Sequence, residues 1–399
     1  MSRKMIVSGV GCALVDRLFN HISFHSPEFE KFLSKKSGDG GLIPGQLVFV
    51  EEFEKFTHKG IHSLIGELAN NRPHDKINIG GPSIVSLIHA SQLSFNTHCA
   101  FRFYGGRGDD PEGEFIVGLL SGTAINFEKY RVVKGDTPST FVLSDPGYNN
   151  HGGERIFINS IGAAWNYLPE YLDEDFFASD IVVFGGTALV PLIHDNLASL
   201  LGKARDRGCI TIVNTVYDFR NEKVSSEKRW PMGESDRSYQ FIDLLITDRE
   251  EAYRLSGRED VEEAMEFFRL KGTGAVIVTS GTDQVKYYSR GRLFEKLEYG
   301  GMPVSAAIIE ELKSGKRTGG DTTGCGDNFA GGVIASVIAQ LQESTLPLDI
   351  SEAVAWGVVS GGITTFYMGG MLQENARGEK RGIFDKYYEL YRKQVGMDS

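Results

Sequence analysis

The feature that most constrains the fold is an alternation of short apolar runs with segments that have helical spacing. The runs are rich in β-branched residues and have the length of buried strands: Met5–Val10, His98–Tyr104, Asp180–Phe184, Cys209–Val213, Leu244–Thr247 and Ala275–Thr279. The segments with helical spacing are Ser83–Leu93, Pro191–Arg207, Asn328–Leu341, Ser351–Tyr367 and Glu379–Gln394. Such alternation requires crossover connections. It predicts an α/β fold with a doubly wound, mainly parallel sheet, helices on both faces and ligands at the carboxyl ends of the strands.

Two stretches interrupt this alternation. Arg17–Ile79 follows the first predicted strand and mixes charged, aromatic and glycine-containing segments. Thr123–Ser160 looks like short strands separated by glycine and proline. We expect a single catalytic domain over residues 1–399, with 17–79 and 123–160 inserted as a small β-rich lid.

Composition narrows the possible partners and the compartment. The formal net charge of −11 over 399 residues argues against nucleic acid or an anionic membrane as a partner. No apolar run approaches the roughly 18 residues needed to span a bilayer. The four cysteines are far apart and form no CxxC pair, so neither a disulfide framework nor a zinc site is indicated. A cytoplasmic location fits this composition best.

The segment from Asp321 to Asp327, with the sequence Asp-Thr-Thr-Gly-Cys-Gly-Asp, leads directly into a predicted helix. The first backbone N–H groups of a helix lack intrahelical partners and the helix dipole is positive there, so this segment can stabilise an anion. Asp327 could accept a proton from an alcohol that attacks phosphorus. On the local residues alone, a plain helix cap at Asp327 is an equally good interpretation.

The same segment resembles the D-T-x-G-x-G-D signature of the ribokinase-like, or PfkB, carbohydrate kinases. In that family the last Asp is the catalytic base and the preceding backbone forms an anion hole. The resemblance assigns these roles to Asp327 and to Gly324, Cys325 and Gly326, respectively. Cys325 stands where the family usually has alanine or another small residue.

Further motifs follow in the family's order along the chain. Asp16 resembles the aspartate that holds substrate hydroxyls, and Gly80-Gly81 resembles the glycine pair that bends as the lid closes. Gly106–Gly113 is similar to the family's G-x-x-G-x-D-x-x-G stretch, and Gly153-Glu154-Arg155 to its lid-strand G-E-R. The resemblance therefore implies that Asp16, Gly80 and Gly81 contact substrate.

Other motifs imply a nucleotide site. The resemblance of Asp248–Glu251 to the family's N-x-x-E motif implies that Glu251 organises Mg²⁺ through water, with Asp248 in place of the usual asparagine. A capped helix start at Asp248 is the alternative interpretation. Other residues that the resemblance assigns to ATP are Thr279, Gly281 and Thr322, with Gly357–Gly370 beside adenine. It also implies a monovalent cation such as K⁺ beside Asp321 and Thr323.

The activity implied is ATP-dependent phosphorylation of an alcohol group on a sugar or sugar-like molecule. The long Arg17–Ile79 insertion is similar to the adenosine kinase branch, so a nucleoside acceptor is the alternative. Two departures affect the acceptor: Val85 occupies a position where the family has asparagine, and Cys12 one where the adenosine kinase branch has it. A missing polar partner of this kind is enough to redirect specificity. Family members range from monomers to homodimers joined through the lid.

Two functions outside the kinases remain open on sequence grounds. One is a binding protein that keeps the ribokinase-like fold without catalysis; the retained Asp327 and glycine loop argue against it. The other is an NAD-dependent oxidoreductase, suggested by Gly9-Val10-Gly11 after a predicted strand. Leu14 occupies the third small-residue position of that fingerprint, which argues against the oxidoreductase.

Overall fold

The computed structural model describes residues 3–36, 38–148, 153–315, 320–343 and 346–397. The strands, in chain order, are β1 Met5–Gly11, β2 Leu14–Phe19, β3 Leu47–Phe49, β4 Lys76–Gly80, β5 Cys99–Arg107, β6 Ile125–Val132, β7 Ser139–Asp145, β8 Glu154–Ser160, β9 Ile181–Gly185, β10 Ile210–Asn214, β11 Leu244–Asp248, β12 Ala275–Thr279, β13 Val285–Ser289 and β14 Leu297–Met302. The α-helices are α1 Pro27–Glu30, α2 Val50–Thr57, α3 Ile61–Leu68, α4 Pro82–Leu93, α5 Pro111–Ser121, α6 Glu174–Phe177, α7 Pro191–His194, α8 Leu197–Asp206, α9 Phe219–Val224, α10 Arg249–Ser256, α11 Val261–Lys271, α12 Ala306–Lys313, α13 Cys325–Glu343, α14 Ile350–Thr364 and α15 Glu379–Val395. Short 3₁₀ helices span Gly162–Asn166, Pro169–Tyr171, Thr187–Leu189 and Asp236–Phe241.

The larger sheet carries the core of the fold. Within the described residues it has nine strands in the order β14-β13-β12-β11-β10-β9-β1-β5-β6. In this spatial order, every pair of neighbours among β12, β11, β10, β9, β1, β5 and β6 is parallel. The strands β13 and β14 add antiparallel pairs at one edge. This confirms the predicted α/β fold with a doubly wound, mainly parallel sheet.

The strands are apolar on both sides because helices cover both faces. Along β11, Leu244 and Ile246 point into one apolar cluster, which includes residues of α4, α13, α14 and α15. Leu245 points into the opposite cluster, which includes residues of α8, α10 and α11. This alternation with period two explains the continuous apolar runs in the sequence. Among the described residues, no helix combines the length and apolar character needed to cross a bilayer.

The smaller sheet has five described strands in the order β3-β8-β7-β2-β4, and we call it the lid sheet. The chain first enters it at Cys12-Ala13 and returns from β4 to the larger body at Gly80-Gly81. Gly81 has a φ of +111°, and a Cβ at this position would overlap the carbonyl oxygen of Cys12. The two connections between the sheets, Cys12-Ala13 and Gly80-Gly81, therefore lie against each other. Only glycine fits at position 81.

The structure divides the two interrupting stretches differently from the sequence prediction. The strand Ile125–Val132 pairs in parallel with β5 in the larger sheet, whereas Ser139–Asp145 and Glu154–Ser160 lie in the lid sheet. The lid sheet also has its own apolar cluster, formed with α1, α2 and α3 and including Phe29, Phe53 and Leu64. That residues 17–79 and 123–160 are insertions into one domain stays a prediction.

One predicted helix is interrupted. The segment Pro191–Arg207 forms α7 and α8 rather than one helix. Asn196 lies at the break and its side-chain amide donates to the carbonyl of Leu192 at 2.9 Å. Asparagine competes in this way with backbone hydrogen bonding and favours helix ends over helix interiors.

Candidate active site

A cavity of about 630 Å³ opens where the lid sheet faces the carboxyl ends of the larger sheet's strands. It is lined by residues from both sheets and from the start of α13. The residues predicted for the site that line it are Asp16, Gly80, Gly81, Asp248, Glu251, Thr322, Thr323, Gly324, Cys325, Gly326 and Asp327. Residues far apart in the chain are therefore brought together at the edge where ligands bind in doubly wound folds.

The start of α13 provides backbone N–H groups at the cavity wall. Gly324 has a φ of +77° and α13 begins at Cys325, so Asp327 lies in the first helical turn. The N–H of Cys325 reaches the carbonyl of Thr322 only at 3.3 Å. Within the described residues, the N–H groups of Gly324, Gly326 and Asp327 have no protein acceptor. The helix start is thus arranged to bind an anion.

Gly324 is required by close packing as well as by its backbone conformation. A Cβ at this position would lie 2.5 Å from the Cα of Gly370, which also lines the cavity. The start of α13 is therefore packed directly against the loop that follows α14. A residue other than glycine at 324 would push these two segments apart.

Asp327 is a carboxylate with an unusual environment. Its side chain lines the cavity and is partly buried, and the loss of hydration there raises its pKa to about 7. A base whose pKa lies near neutral pH is well matched to accept a proton from an alcohol. Asp327 lies inside the first turn of α13 rather than at the position before it, which does not fit a plain helix cap.

Asp16 is a second carboxylate in the same cavity. It lies on β2 and is only 5% exposed. Burial is the main cause that raises its pKa to about 8, and the negative charges of Asp327 and Asp321 add to it. A hydrogen bond from Thr140 and the charge of Arg155 act in the opposite direction. Gly80 keeps room for this carboxylate, because a Cβ at Gly80 would overlap Asp16 Oδ2.

An acidic pair lies at the start of α10. The carboxylate of Asp248 accepts the backbone N–H of Glu251 at 2.8 Å, so Asp248 caps the helix. Glu251 is buried and its carboxylate accepts the hydroxyl of Thr215. Burial, together with the charge of Asp248, raises the pKa of Glu251. The motif is therefore a helix cap that also faces the cavity, and the role of Glu251 in organising Mg²⁺ stays a prediction.

The lid sheet supplies the cationic side chain that faces the helix start. Arg155 lies on β8, and its Nη1 donates to Thr323 Oγ1 at 3.2 Å. Its guanidinium also lies over the ring of Phe157, 5.4 Å from the centroid. Among the described residues that line the cavity, Arg155 is the one with a positive charge.

Asp321 lies outside the main cavity, on the loop that leads into α13. It lines a neighbouring cavity of about 260 Å³ together with Thr322 and Arg155. Its carboxylate accepts hydrogen bonds from the N–H of Thr323 and the N–H of Gly369, each at 3.1 Å. Asp321 thereby ties the loop before α13 to the loop after α14. A monovalent cation beside Asp321 and Thr323 stays a prediction.

Several residues singled out in the sequence do not line the cavity. Thr279 pairs with Asp248 at the ends of adjacent strands but lies outside it, and so does Gly281, whose surroundings are open. Cys12 and Val85 are 2% and 1% exposed and lie in apolar clusters. The two departures from the family pattern thus place core residues where polar contacts are expected.

Some residues of the site are not evident from the sequence, because their roles depend on distant contacts. Thr140 and Asn159 line the cavity although no motif marks them, and Arg155 is marked only as part of a motif. Lys380 looks like an ordinary helical residue, yet it contacts Asn328 in the first turns of α13. The available signal is that their sequence neighbours Phe141 and Ile158 lie in the apolar cluster of the lid sheet, so Thr140 and Asn159 point to its other face.

Comparison with known proteins identifies related folds. Residues 62–376 match the family described as pfkB family carbohydrate kinase. A probable sugar kinase from Rhizobium etli is 17% identical, with a TM-score of 0.69 over 99% of this chain and 100% of that one. Adenosine kinase from Sinorhizobium meliloti is also 17% identical, with a TM-score of 0.66 over 95% and 99%.

A third structure carries nucleotide. It is a putative ribokinase II from E. coli in complex with ATP and Mg²⁺, 17% identical, with a TM-score of 0.63 over 96% of this chain and 99% of that one. At this level of identity the likeness establishes a shared fold. The bound ATP and Mg²⁺ are properties of the E. coli protein.

Proposed function

Because the chain belongs to the pfkB family of carbohydrate kinases, we propose that it transfers the γ-phosphoryl group of ATP to an alcohol group of a sugar or sugar-like molecule. One observation carries the proposal. Asp327, whose pKa burial raises to about 7, lies beside backbone N–H groups that have no acceptor among the described residues, in a cavity that also contains Asp16. A base, an anion site and a hydroxyl-binding carboxylate are the groups that this reaction requires.

The residues divide the reaction between them. Asp16 and Asp327 hold the acceptor hydroxyl, and Asp327 takes its proton as the oxygen attacks the γ-phosphorus. The P–O bond to the leaving ADP breaks, and the N–H groups of Gly324, Cys325 and Gly326 stabilise the charge on the transferred group. Arg155 adds a positive charge from the lid side.

The acidic pair fits a magnesium ion that is held mostly by water and phosphate. Among the described residues, no three histidine, cysteine or carboxylate side chains converge to hold a metal by themselves. Mg²⁺ commonly keeps several waters and uses one or two carboxylates together with substrate phosphates. Asp248 and Glu251 provide oxygens of this kind, and the ion would neutralise charge on the phosphates when bound.

A nucleoside acceptor is the second candidate, favoured by the walls of the cavity. Leu14, Phe157, Leu189 and Tyr217 line it along with the polar groups. Apolar and aromatic walls of this kind suit a flat ring more than a free sugar. A nucleoside would place its sugar hydroxyl at Asp327 and its base among these side chains.

An ADP-release screen tests the proposal and separates the two acceptors. The screen covers ketoses, aldoses, sugar acids, inositols and nucleosides, with ribose and adenosine as a matched pair that differ by the base. Turnover with adenosine but not ribose would favour the nucleoside. The kinase proposal fails if neither ATP nor ADP binds in the presence of Mg²⁺. Binding of NADH instead would favour an oxidoreductase.

A further inference from the structure

Lys380 is a lysine buried behind the anion-binding helix start. It is the second residue of α15 and is 1% exposed. Its Nζ donates to Asn328 Oδ1 at 2.8 Å and lies 5.1 Å from the ring centroid of Tyr367. Within the part of the chain that the structure describes, no carboxylate lies within ion-pair distance of this Nζ; Glu374 instead accepts the backbone N–H of Lys380.

Asn328 connects this lysine to two loops of the cavity. Asn328 is fully buried, and its Nδ2 donates to the carbonyls of Gly324 and Gly370, both at 2.8 Å. Its Oδ1 accepts from Lys380 and from the hydroxyl of Tyr367. The carboxamide has one orientation that satisfies all four contacts, because a flipped amide would direct its NH₂ group at the lysine.

The Gly324 carbonyl is the point where this network reaches the anion site. It accepts both the side-chain Nδ2 of Asn328 at 2.8 Å and the backbone N–H of Asn328 at 2.9 Å. The peptide group that carries this carbonyl also carries the N–H of Cys325. Hydrogen bonds to a peptide carbonyl fix the plane of the peptide and strengthen its N–H as a donor. Lys380 thus acts on the anion site through two hydrogen bonds in series.

The fold does not need an amine at this position. Burial lowers the pKa of Lys380 to about 7, which reflects the unfavourable environment for its charged form. Methionine has a similar length and would fill the same space without that penalty. Either protonation state of the amine donates an N–H to Asn328, so the contact does not depend on the charge.

We propose that Lys380 is a positioning residue for the phosphoryl transfer, a role that rests on the proposed function. Through its hydrogen bond to Asn328, Lys380 fixes the Gly324–Cys325 peptide so that the N–H groups of the helix start point into the cavity. It touches neither acceptor nor nucleotide.

The first test needs no substrate. Hydrogen–deuterium exchange is measured on a peptide that spans Gly324–Asn328 in the wild type and in Lys380→Met. Lys393→Met is the matched control, because Lys393 is exposed on the same helix. We expect faster exchange in this peptide for Lys380→Met, no change for the control, unchanged exchange in β11 and no fall in Tm. A purely structural role predicts a lower Tm and faster exchange throughout.

The second test uses the acceptor found by the ADP-release screen. Lys380→Met should lower kcat by about 10- to 100-fold, as removal of an outer positioning residue commonly does, while the acceptor KM changes by less than about threefold. Lys380→Gln should restore much of the activity, since its amide can donate to Asn328 without any charge. In an Asn328→Ala background, Lys380→Met should have little further effect.

Each outcome decides for or against the proposal. Wild-type exchange at Gly324–Asn328 in folded Lys380→Met would overturn it, as would wild-type kcat or fully additive effects in the double variant. If Lys380→Met does not fold, Lys380→Leu, which also lacks a donor, carries the exchange comparison in its place, and wild-type exchange there would overturn the proposal. Failure of the proposed function is distinguishable, because it appears as a wild-type protein without turnover or nucleotide binding, whatever the exchange shows.

Discussion

Asp16 and Asp327 are two carboxylates in one cavity, and burial raises the pKa of both. For Asp327 burial is the cause, whereas for Asp16 the charges of Asp327 and Asp321 add to it. Two carboxylates that share a site cannot both ionise freely. The pKa values of Asp327, about 7, and Asp16, about 8, therefore both lie near neutral pH. In the proposed reaction, Asp16 holds the acceptor hydroxyl while Asp327 accepts its proton.

The first prediction concerns the base. Asp327→Asn removes the proton acceptor but keeps the shape of the side chain and the first turn of α13. We expect kcat to fall by about 10²-fold or more with nearly unchanged ATP affinity, measured by ADP release and by calorimetry. Asp260→Asn, at the exposed start of α11, serves as control. Unchanged turnover in Asp327→Asn would exclude Asp327 as the base.

The second prediction concerns pH. Asp327 acts as a base only when ionised, and its pKa is raised to about 7. Activity is therefore present above that pH and is lost as the pH falls through it. We expect kcat/KM to drop about tenfold per pH unit below about 6.5 and to level off above about 7.5. A profile that is flat from about pH 5.5 to about pH 8 would contradict this assignment.

At the scale of elements, the crossing between the two sheets is the most constrained point. Gly81 precedes α4 with a φ of +111° and packs on the carbonyl of Cys12. The glycine pair is recognisable in the sequence by resemblance, and the structure adds the steric reason. Any side chain at Gly81 would have to separate β1 from the start of α4.

The third prediction follows from that packing. Gly81→Ala should lower the free energy of unfolding by about 1–3 kcal/mol, because alanine is strained at this φ and also clashes. Gly118→Ala is the control, since Gly118 lies in α5 with nothing within 4 Å of an added Cβ. Urea denaturation measures both. Equal stability of the two variants would show that the crossing tolerates a side chain.

The strands of the larger sheet are predictable because their burial is local in the sequence. Runs such as Leu244–Thr247 are apolar on both faces, so the sequence marks them directly. The sequence groups the strand Ile125–Val132 with the lid, whereas it pairs with β5 in the larger sheet, because nothing local indicates which sheet it joins. The break at Asn196 is equally hidden, since the sequence pattern on either side is continuous.

The site is predictable only where one segment contains it. Asp321–Asp327 holds the proposed anion site and the proposed base within a few residues, so both can be inferred from the sequence. The contacts of Arg155 with Thr323 and of Lys380 with Asn328 join residues 168 and 52 positions apart. No local pattern encodes such pairs, because tertiary packing determines them.

At the scale of the whole molecule, the lid sheet is covered on the side away from the cavity. The helices α1, α2 and α3 pack on it around the apolar cluster that includes Phe29, Phe53 and Leu64. A sheet that is already covered in this way does not offer its face to a second copy. Of the two oligomeric states that the sequence leaves open, we therefore expect the monomer.

The fourth prediction is the state in solution. The chain should elute with the mass of one copy, 44.0 kDa, when light scattering is measured over a wide range of concentration. A concentration-independent mass of two copies would contradict the argument from the covered lid. In that case, exchange protection on dimer formation would locate the interface on or away from α1–α3.

The position of Arg155 has a consequence for hydrolysis of the nucleotide by water. The base and the helix start belong to the body around the larger sheet, while this arginine comes from the lid sheet. If the two bodies separate, the base remains but the cation leaves. Water that enters such an open site would meet the carboxylate of Asp327. The positive charge of Arg155, which would make the phosphorus more reactive, would be absent. If the chain is the kinase proposed above, we therefore expect little hydrolysis of its nucleotide while the two sheets are apart.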